Sequence, residues 1–376
     1  MSNNYKSFAH SEFTSSGLPD FESSRPSVFP SSGLPSNFFF PAEWHLHEAT
    51  WLSWPHKEAS WPGKLNTIYP YYAHFVKELA KSEIVRINVA DEKMKLFALK
   101  QLQKQDVDLN KVEFYFNETN DAWCRDHGPA FLINPDAEKH KKIIIDWGYN
   151  AWGNKYPPYD LDDVIPTKIA EQFGLPVFHP GIIMEGGSVE FNGAGTILTS
   201  TACLLNENRN PHLNQQQIEA YLYHYYGAKQ VLWVEDGIVG DDTDGHIDDT
   251  VRFVNEDTVL TVIEENKNDE NYELLQNNLK QLKQMRLING KQLNIIELPM
   301  PDAVIYEDQR LPASYANFYI CNKSVIVPTY RCSKDDVALK IIQEHFKDRN
   351  VVGIDSTEII WGLGSFHCLS QQEPAV

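Results

Sequence analysis

The chain has 376 residues, of which 42% are hydrophobic and 23% charged, and a formal net charge of −19. This is globular composition, long enough to bury a large core, and 9 Trp, 17 Tyr and 19 Phe argue against general disorder. The charge disfavours nucleic acid and anionic membrane, both polyanions, and favours a small cationic partner.

Residues 1–35 are rich in Ser, Pro, Asn and Phe and repeat SSGLP from Ser15 and from Ser31, which reads as a mobile arm ahead of a single domain over 36–376. ATWLSW has the alternation of a strand. TIYPYYAHFVKELAKS has helical spacing and runs into the strand-like IVRINVA. KMKLFALKQLQKQ reads as a helix, and KVEFYF and KKIIIDWG as strands. DDVIPTKIAEQFG is a Gly-terminated helix before PVFHPG. GSVEFNGAGTILTST predicts a hairpin around Asn-Gly. QQQIEAYLYHYYG is a helix followed by the strand QVLWVE, and DTVRFVNEDTVLTVIE reads as two strands. NYELLQNNLKQLKQM is an amphipathic helix and YANFYICNKSVIVPTY a strand–turn–strand. KDDVALKIIQEHF and NVVGIDS close the series as helix and strand. Hairpins mixed into an alternating pattern suit ββαβ-type units better than pure parallel winding. Neither GxxxxGK[ST] nor a strand-to-helix GxGxxG occurs, so phosphate-cradling nucleotide sites are not indicated.

The five cysteines, Cys124, Cys203, Cys321, Cys332 and Cys368, are widely spaced and form no CxxC pair, which argues against zinc knuckles and redox dithiols. MSNNYKSFAHSEF has no basic-then-apolar signal pattern, and no run of about 18 apolar residues exists. The expectation is a cytoplasmic protein with reduced thiols.

Four stretches carry candidate chemistry: NDAWCRDHGP, IMEGGSVEFNG, GDDTDGHIDDTVRF and WGLGSFHCLSQQEP. In the third, GDDTDG is turn composition and HIDDTVRFV strand composition. Alternation would point His246, Asp248, Thr250 and Arg252 one way. The acidic turn also reads as a weak Ca²⁺ site, but its spacing is not that of an EF-hand. In WCRDHGP, Arg125 reads as a structural ion pair and Asp126 as a turn cap or a catalytic acid. Glu185 precedes two glycines that would let the backbone approach a ligand. Cys368 follows a glycine-led turn, and SQQEP after it is not core-strand composition, so the thiol is expected to be exposed and reactive. Cys321 and Cys332 read as structural, Cys203 and Cys124 as packing residues. A thiol among several carboxylates has a raised pKa. A bound guanidinium reverses that, because it is planar, permanently cationic and clamped well by carboxylates. The residue set therefore suits C–N cleavage of a guanidino group better than amide hydrolysis.

PAEWHLHEATWLSWP, NDAWCRDHGP, DWGYNAWGNKYPP, MEGGS, CLLNENRNP, GDDTDGHIDD and GLGSFHCLSQQEP together resemble the agmatine deiminases and the bacterial peptidylarginine-deiminase-like proteins grouped with them. The resemblance runs from about residue 41 to the C-terminus. It implies an α/β pentein, a five-bladed pseudo-symmetric propeller of ββαβ-type units, and hydrolysis of agmatine without metal or cofactor. It implies Cys368 as nucleophile, His246 as general acid/base, Asp126 and Asp248 as guanidinium clamps, and Glu185 as the acid that positions His246 and touches the substrate. Trp123 would line the channel, and Gly364 would let the Cys368 loop approach closely. A homodimer is common in the family, though no sequence feature decides it. Members carry a GGGNIHC-type loop where this chain has GLGSFHC, so Leu363, Ser365 and Phe366 change bulk beside the thiol. Deimination of peptidyl or free arginine is the alternative, with Arg209 or Arg331 receiving a carboxylate. A non-catalytic pentein binding module is a third reading.

Overall fold

The alternation around ATWLSW becomes strand β1 (His47–Ser53) in the computed structural model, which describes residue 34 and residues 36–376. The arm expected over residues 1–35 lies, apart from residue 34, outside the described residues. The helix Leu65–Ala80 follows β1 and buries Ile68, Tyr72, Phe75, Val76 and Leu79, the single face that their spacing predicts. It returns the chain to β2 (Ile84–Asn88), parallel to β1, and β3 (Val112–Tyr115) extends the sheet.

The same pattern then repeats, an antiparallel pair followed by a helical crossover to a parallel third strand. β4 (Ala130–Ile133), β5 (Lys142–Ile145) and β6 (Val177–Phe178) form one sheet. β7 (Val189–Phe191), β8 (Thr196–Ser200) and β9 (Gln230–Val234) form the next. β10 (Val251–Asn255), β11 (Thr258–Ile263) and β12 (Asn294–Pro299) follow. A small hairpin, β13 (Ile305–Tyr306) and β14 (Gln309–Arg310), precedes the last sheet of β15 (Tyr319–Ile320), β16 (Ser324–Thr329) and β17 (Asn350–Asp355). The first unit completes the series with β18 (Ser370–Pro374), which pairs antiparallel with β1 and sets Gln371 opposite Trp51. These are the five units of a pentein, and the first draws its opening strand from the far end of the chain.

β18 corrects the expectation that SQQEP is not a strand. All five of its residues are buried. Polar side chains are tolerated there because each meets a partner. Gln371 donates to the Pro129 carbonyl at 3.0 Å, Gln372 accepts from Arg125 at 2.7 Å, and Glu373 accepts from Trp51 at 2.8 Å and from Lys142 at 2.6 Å.

Apolar cores lie between sheets and their helices. One gathers Leu52, Tyr72, Phe75 and Ile87, and another gathers Trp51, Phe131, Ile144 and Ile169. A charged network is also buried. Arg252, fully buried, holds Glu43 and Glu190 at 3.1 Å each, and Arg125 reaches the same Glu43 at 3.2 Å. Burial is costly for such charges unless they are paired, as these are. Arg252 also donates to Glu190 and to the Ala316 carbonyl at 3.1 Å each, while its other terminal nitrogen meets Glu43 as an ion pair without a hydrogen bond. Arg125 is thus the structural ion pair expected of it. No helix among the described residues is long and apolar enough to cross a membrane.

Candidate active site

The candidate residues come from one place in each unit, the segment leading into its first strand. Asp126 lies in the short helical turn Cys124–His127 ahead of β4. Glu185 stands before the turn Gly186–Ser188 ahead of β7. His246 and Asp248 precede β10, and Cys368 precedes β18. The expectation that His246, Asp248, Thr250 and Arg252 share a strand face is corrected. Ile247–Asp249 form a 3₁₀ turn and the strand begins at Val251. The turn brings His246 and Asp248 to the site, while Arg252 points away into the charged network. GDDTDG is compositionally a turn, and it continues for several residues further than strand propensity suggests.

Both glycines of MEGGS are needed for close approach. A Cβ on Gly186 would lie 2.1 Å from the Arg125 carbonyl oxygen. One on Gly187 would lie 2.5 Å from His246 Nδ1, 2.9 Å from Asp126 Oδ1 and 3.1 Å from Asp248 Oδ2. Gly187 therefore marks the point where His246, Asp126 and Asp248 converge. Its N–H donates to Asp126 Oδ1 at 2.9 Å. Trp152 Nε1 donates to Asp126 Oδ2 at 3.0 Å from a left-handed turn, with φ of 49° at Ala151 and 55° at Trp152. Such a turn costs roughly 1–2 kcal/mol per non-glycine residue, and here it aims the indole at a site carboxylate.

Cys368 is only 6% exposed, which corrects the expectation of an exposed thiol. β18 carries the chain inward directly after it, and Gly364 packs on it. A Cβ on Gly364 would lie 2.5 Å from Trp123 Cζ3 and 3.1 Å from Cys368 Cβ. The thiol nevertheless lines a cleft of about 280 Å³ together with Trp123, Asp126, Trp152 and Gly364. Asp121, Asp242 and Glu307 also line it, and Lys57, the cation there, is 3.3 Å from Asp121. Trp123 stacks on Trp61 at 5.1 Å between centroids. Of the three altered loop residues, Leu363 lines the cleft, in the left-handed region at φ 70°. Ser365 instead meets the Ser356 hydroxyl at 2.7 Å, and Phe366 packs on Phe75.

The electrostatics are dominated by burial and by like charges. Burial pushes the Cys368 thiol well above its ordinary pKa, and Asp248, Asp249 and Asp126 add to it. Burial alone would lower His246, but Asp126, Cys203 and Asp248 outweigh it and hold the imidazole well above the ordinary value. Burial raises Asp126, with Asp248 and Glu185 adding and His246 opposing. Burial would also raise Asp248, but His367, whose Nδ1 is 2.6 Å from Asp248 Oδ2, leads the charges that bring it below the usual range. The other nitrogen of His367 meets Glu43 at 2.7 Å, which ties the site to the charged network.

Glu185 is fully buried, and Arg209 Nε donates to its Oε1 at 2.7 Å. Donor atoms of Glu185, Cys203 and His246 lie within 4.8 Å of one another. The Arg209 guanidinium on that carboxylate disfavours a second cation there. Cys203 is thus more than a packing residue, since it faces His246. Cys124 is buried, and burial pushes its thiol up to about 12. Neither Arg209 nor Arg331 lines the cleft. The latter pairs on the surface with Asp355 at 2.7 Å.

Two contributors escape sequence reasoning. Glu43 anchors His367, Arg125 and Arg252. Asn317 comes from the fifth unit, two residues ahead of β15, as Cys368 is two ahead of β18. Its Nδ2 lies 2.9 Å from Cys368 Sγ. The signal for Asn317 is that shared offset, visible only once the strands are aligned.

Residues 39–374 match the model of the Porphyromonas-type peptidyl-arginine deiminase family. The chain belongs to that family. Among curated relatives, the agmatine deiminase of Ectopseudomonas mendocina is 34% identical over 361 residues, covering 90% of this chain and 96% of the relative. Among solved structures, a C. jejuni agmatine deiminase, a cysteine-to-serine variant with substrate bound, is 35% identical with a TM-score of 0.81. The match covers 89% of this chain and 96% of that one. The agmatine deiminase of Enterococcus faecalis is 31% identical with a TM-score of 0.83, covering 90% and 96%. This deiminase family member thus shares its pentein fold with agmatine deiminases over almost its whole described length.

Proposed function

We propose that the chain hydrolyses agmatine to N-carbamoylputrescine and ammonia through a cysteine nucleophile. The observation that carries this reading is Cys368 on the wall of an acid-rich, tryptophan-lined cleft, with Asp248 Oδ2 3.7 Å from its sulfur. The kinship with agmatine deiminases supports the same reading. Agmatine is a planar guanidinium on an apolar chain ending in a second cation. Asp126 on the cleft wall, with Asp248 behind Cys368 at 3.7 Å from its sulfur, suits the guanidinium. The tryptophans suit the chain, and the carboxylates of Asp121, Asp242 and Glu307 suit the distal ammonium.

The chemistry follows from the electrostatics. The guanidinium offsets the carboxylate charge that keeps the Cys368 thiol protonated, so the thiolate forms with substrate present and its proton passes to solvent, which makes ammonium of the released ammonia. The sulfur attacks the guanidino carbon and a C–S bond forms. Protonated His246 gives its proton to the departing nitrogen, and the C–N bond breaks to release ammonia. The S-alkylthiouronium that remains is attacked by water, whose proton His246 accepts. The C–S bond then breaks as the remaining hydroxyl proton passes to the departing sulfur, giving the ureido product and the Cys368 thiol. Glu185, with a carboxylate oxygen within 4.8 Å of a His246 nitrogen, positions His246 by its charge, Trp123 lines the path, and Gly364 allows the close loop. No step needs a metal or cofactor. The net charge of −19 and this small cationic substrate fit a cytoplasmic enzyme with no nucleic-acid or membrane partner.

The test is release of ureido product and ammonia from agmatine, free arginine and a blocked arginine amide, with Cys368→Ala as control. Turnover of agmatine, lost in the variant, is expected. Wild-type-like turnover in Cys368→Ala would overturn the mechanism, and preference for blocked arginine would replace the substrate.

A further inference from the structure

Four of the five units supply the proposed catalytic group or clamp at their lead-in segments, and the fifth supplies Asn317 at the same place. Asn317 is 1% exposed. Its amide orientation is decided by its neighbours. Oδ1 faces the backbone N–H of His367 at 3.1 Å and of Cys368 at 3.4 Å, groups that can only donate. Nδ2 consequently faces Asp249 Oδ1 at 2.9 Å, Cys368 Sγ at 2.9 Å and Asp248 Oδ2 at 3.4 Å. Flipping the amide would set donors against donors and an oxygen against carboxylates. The two amide hydrogens thus have two close acceptors, a carboxylate and the sulfur.

We propose that Asn317 is a catalytic residue that donates a hydrogen bond to the Cys368 sulfur and holds it as a thiolate during attack. The sulfur's other side-chain hydrogen-bond partner among the described residues is Asp248. An ionised carboxylate can accept a hydrogen bond from the thiol but has no hydrogen to donate to a thiolate. Once the proton has left, Asp248 repels the sulfur, and Asn317 remains its side-chain donor beside the backbone of Ser365. A hydrogen bond to an ionised group inside a low-dielectric site is stronger than one to a neutral group, so the contact gains strength as charge develops. The backbone bonds to Oδ1 lock the amide beforehand, and no reorganisation is needed when the thiolate forms.

This inference rests on Cys368 being the reacting sulfur, and its test is kept separate from agmatine turnover. 2-Chloroacetamidine, a small amidinium that carries an alkylating carbon, is reacted with the full-length protein across a pH series. Alkylation of Cys368 is read by mass spectrometry. In Asn317→Ala the reaction at neutral pH is expected to slow by about 10- to 100-fold. Its pH midpoint is expected to rise by about 1–2 pH units. Asn317→Asp, which puts an anion where the donor stood, slows it further. Asn317→Ser is read in the same way if the alanine variant does not fold. Variants that keep the wild-type pH midpoint overturn the proposal even if they melt earlier, because a purely structural asparagine would behave so. A wild-type protein unreactive at Cys368 overturns it as well. Normal alkylation without agmatine turnover would sink the substrate reading and leave Asn317 standing.

Discussion

Lys142 in the second unit holds its ammonium 2.6 Å from Glu373 Oε1 in β18 of the first. Arg86 and Trp51 take the other oxygen of that carboxylate. Glu373 is 2% exposed; the half-exposed Glu48 shares both cations, and the half-exposed Glu113 takes Arg86 Nε at 3.0 Å. Glu373→Gln removes the buried charge and leaves Lys142 with Glu48, and Arg86 with Glu48 and Glu113, both partly exposed. The expected cost is about 3 kcal/mol, the low end for breaking a buried pair. A denaturant midpoint unchanged from wild type would show that the terminal strand is held by its ladder alone.

The same strand shows where sequence reasoning stops. The helix Leu65–Ala80 was legible because its apolar residues share one face and the face is buried. β18 was illegible because its polar residues are satisfied by Arg125, Lys142, Arg86 and Trp51, none of them near in sequence. The burial of Cys368 followed from that missed strand. His246, Asp248, Asp126 and Glu185 stood out through unusual polar and glycine contexts, and the structure brings all four together. Asn317 and Glu43 did not, since a lone Asn between aromatics and a lone Glu after PA look like ordinary residues. β4, four apolar residues long, and β12 carried too little alternation to stand out.

Gly187→Ala should cost activity far more than stability. The new Cβ would sit 2.5 Å from His246 Nδ1, and neither the ring nor Asp126 beyond it has room to yield within this buried cluster. Displacing an acid/base group by about 1 Å costs on the order of 10²-fold in rate. Steady-state kcat on agmatine beside a thermal melt checks it. A kcat within a few-fold of wild type would mean that His246 does not work from this position.

Trp152→Phe keeps the ring packing and deletes the N–H that meets Asp126 Oδ2 at 3.0 Å. Asp126 then keeps the Gly187 N–H as its backbone donor and is harder to ionise, because burial already raises it. If Asp126 clamps the guanidinium, kcat/KM should fall by about 10- to 100-fold, the range for a hydrogen bond to a charged group. The loss should shrink toward high pH, where the carboxyl ionises regardless. An unchanged kcat/KM at every pH would separate Asp126 from substrate binding.

His127, beside Asp126, is 2% exposed, and burial brings its imidazole down to about 4 against the pull of Asp126 and Asp121. In the unfolded chain the group returns to about 6.5. The native state therefore holds fewer protons than the unfolded state between those values, and stability falls as pH falls through that window. Above pH 7 the group is neutral in both states and contributes no slope. Integrated from about 6.5 to about 4, the loss through this residue is about 3 kcal/mol. His127→Leu removes the titration while keeping an apolar contact with Tyr149. The stability difference between variant and wild type should be flat above pH 7 and move in the variant's favour down to about pH 4, as read by urea melts at each pH. A difference flat across the whole range would mean that His127 opens to solvent and is protonated without unfolding.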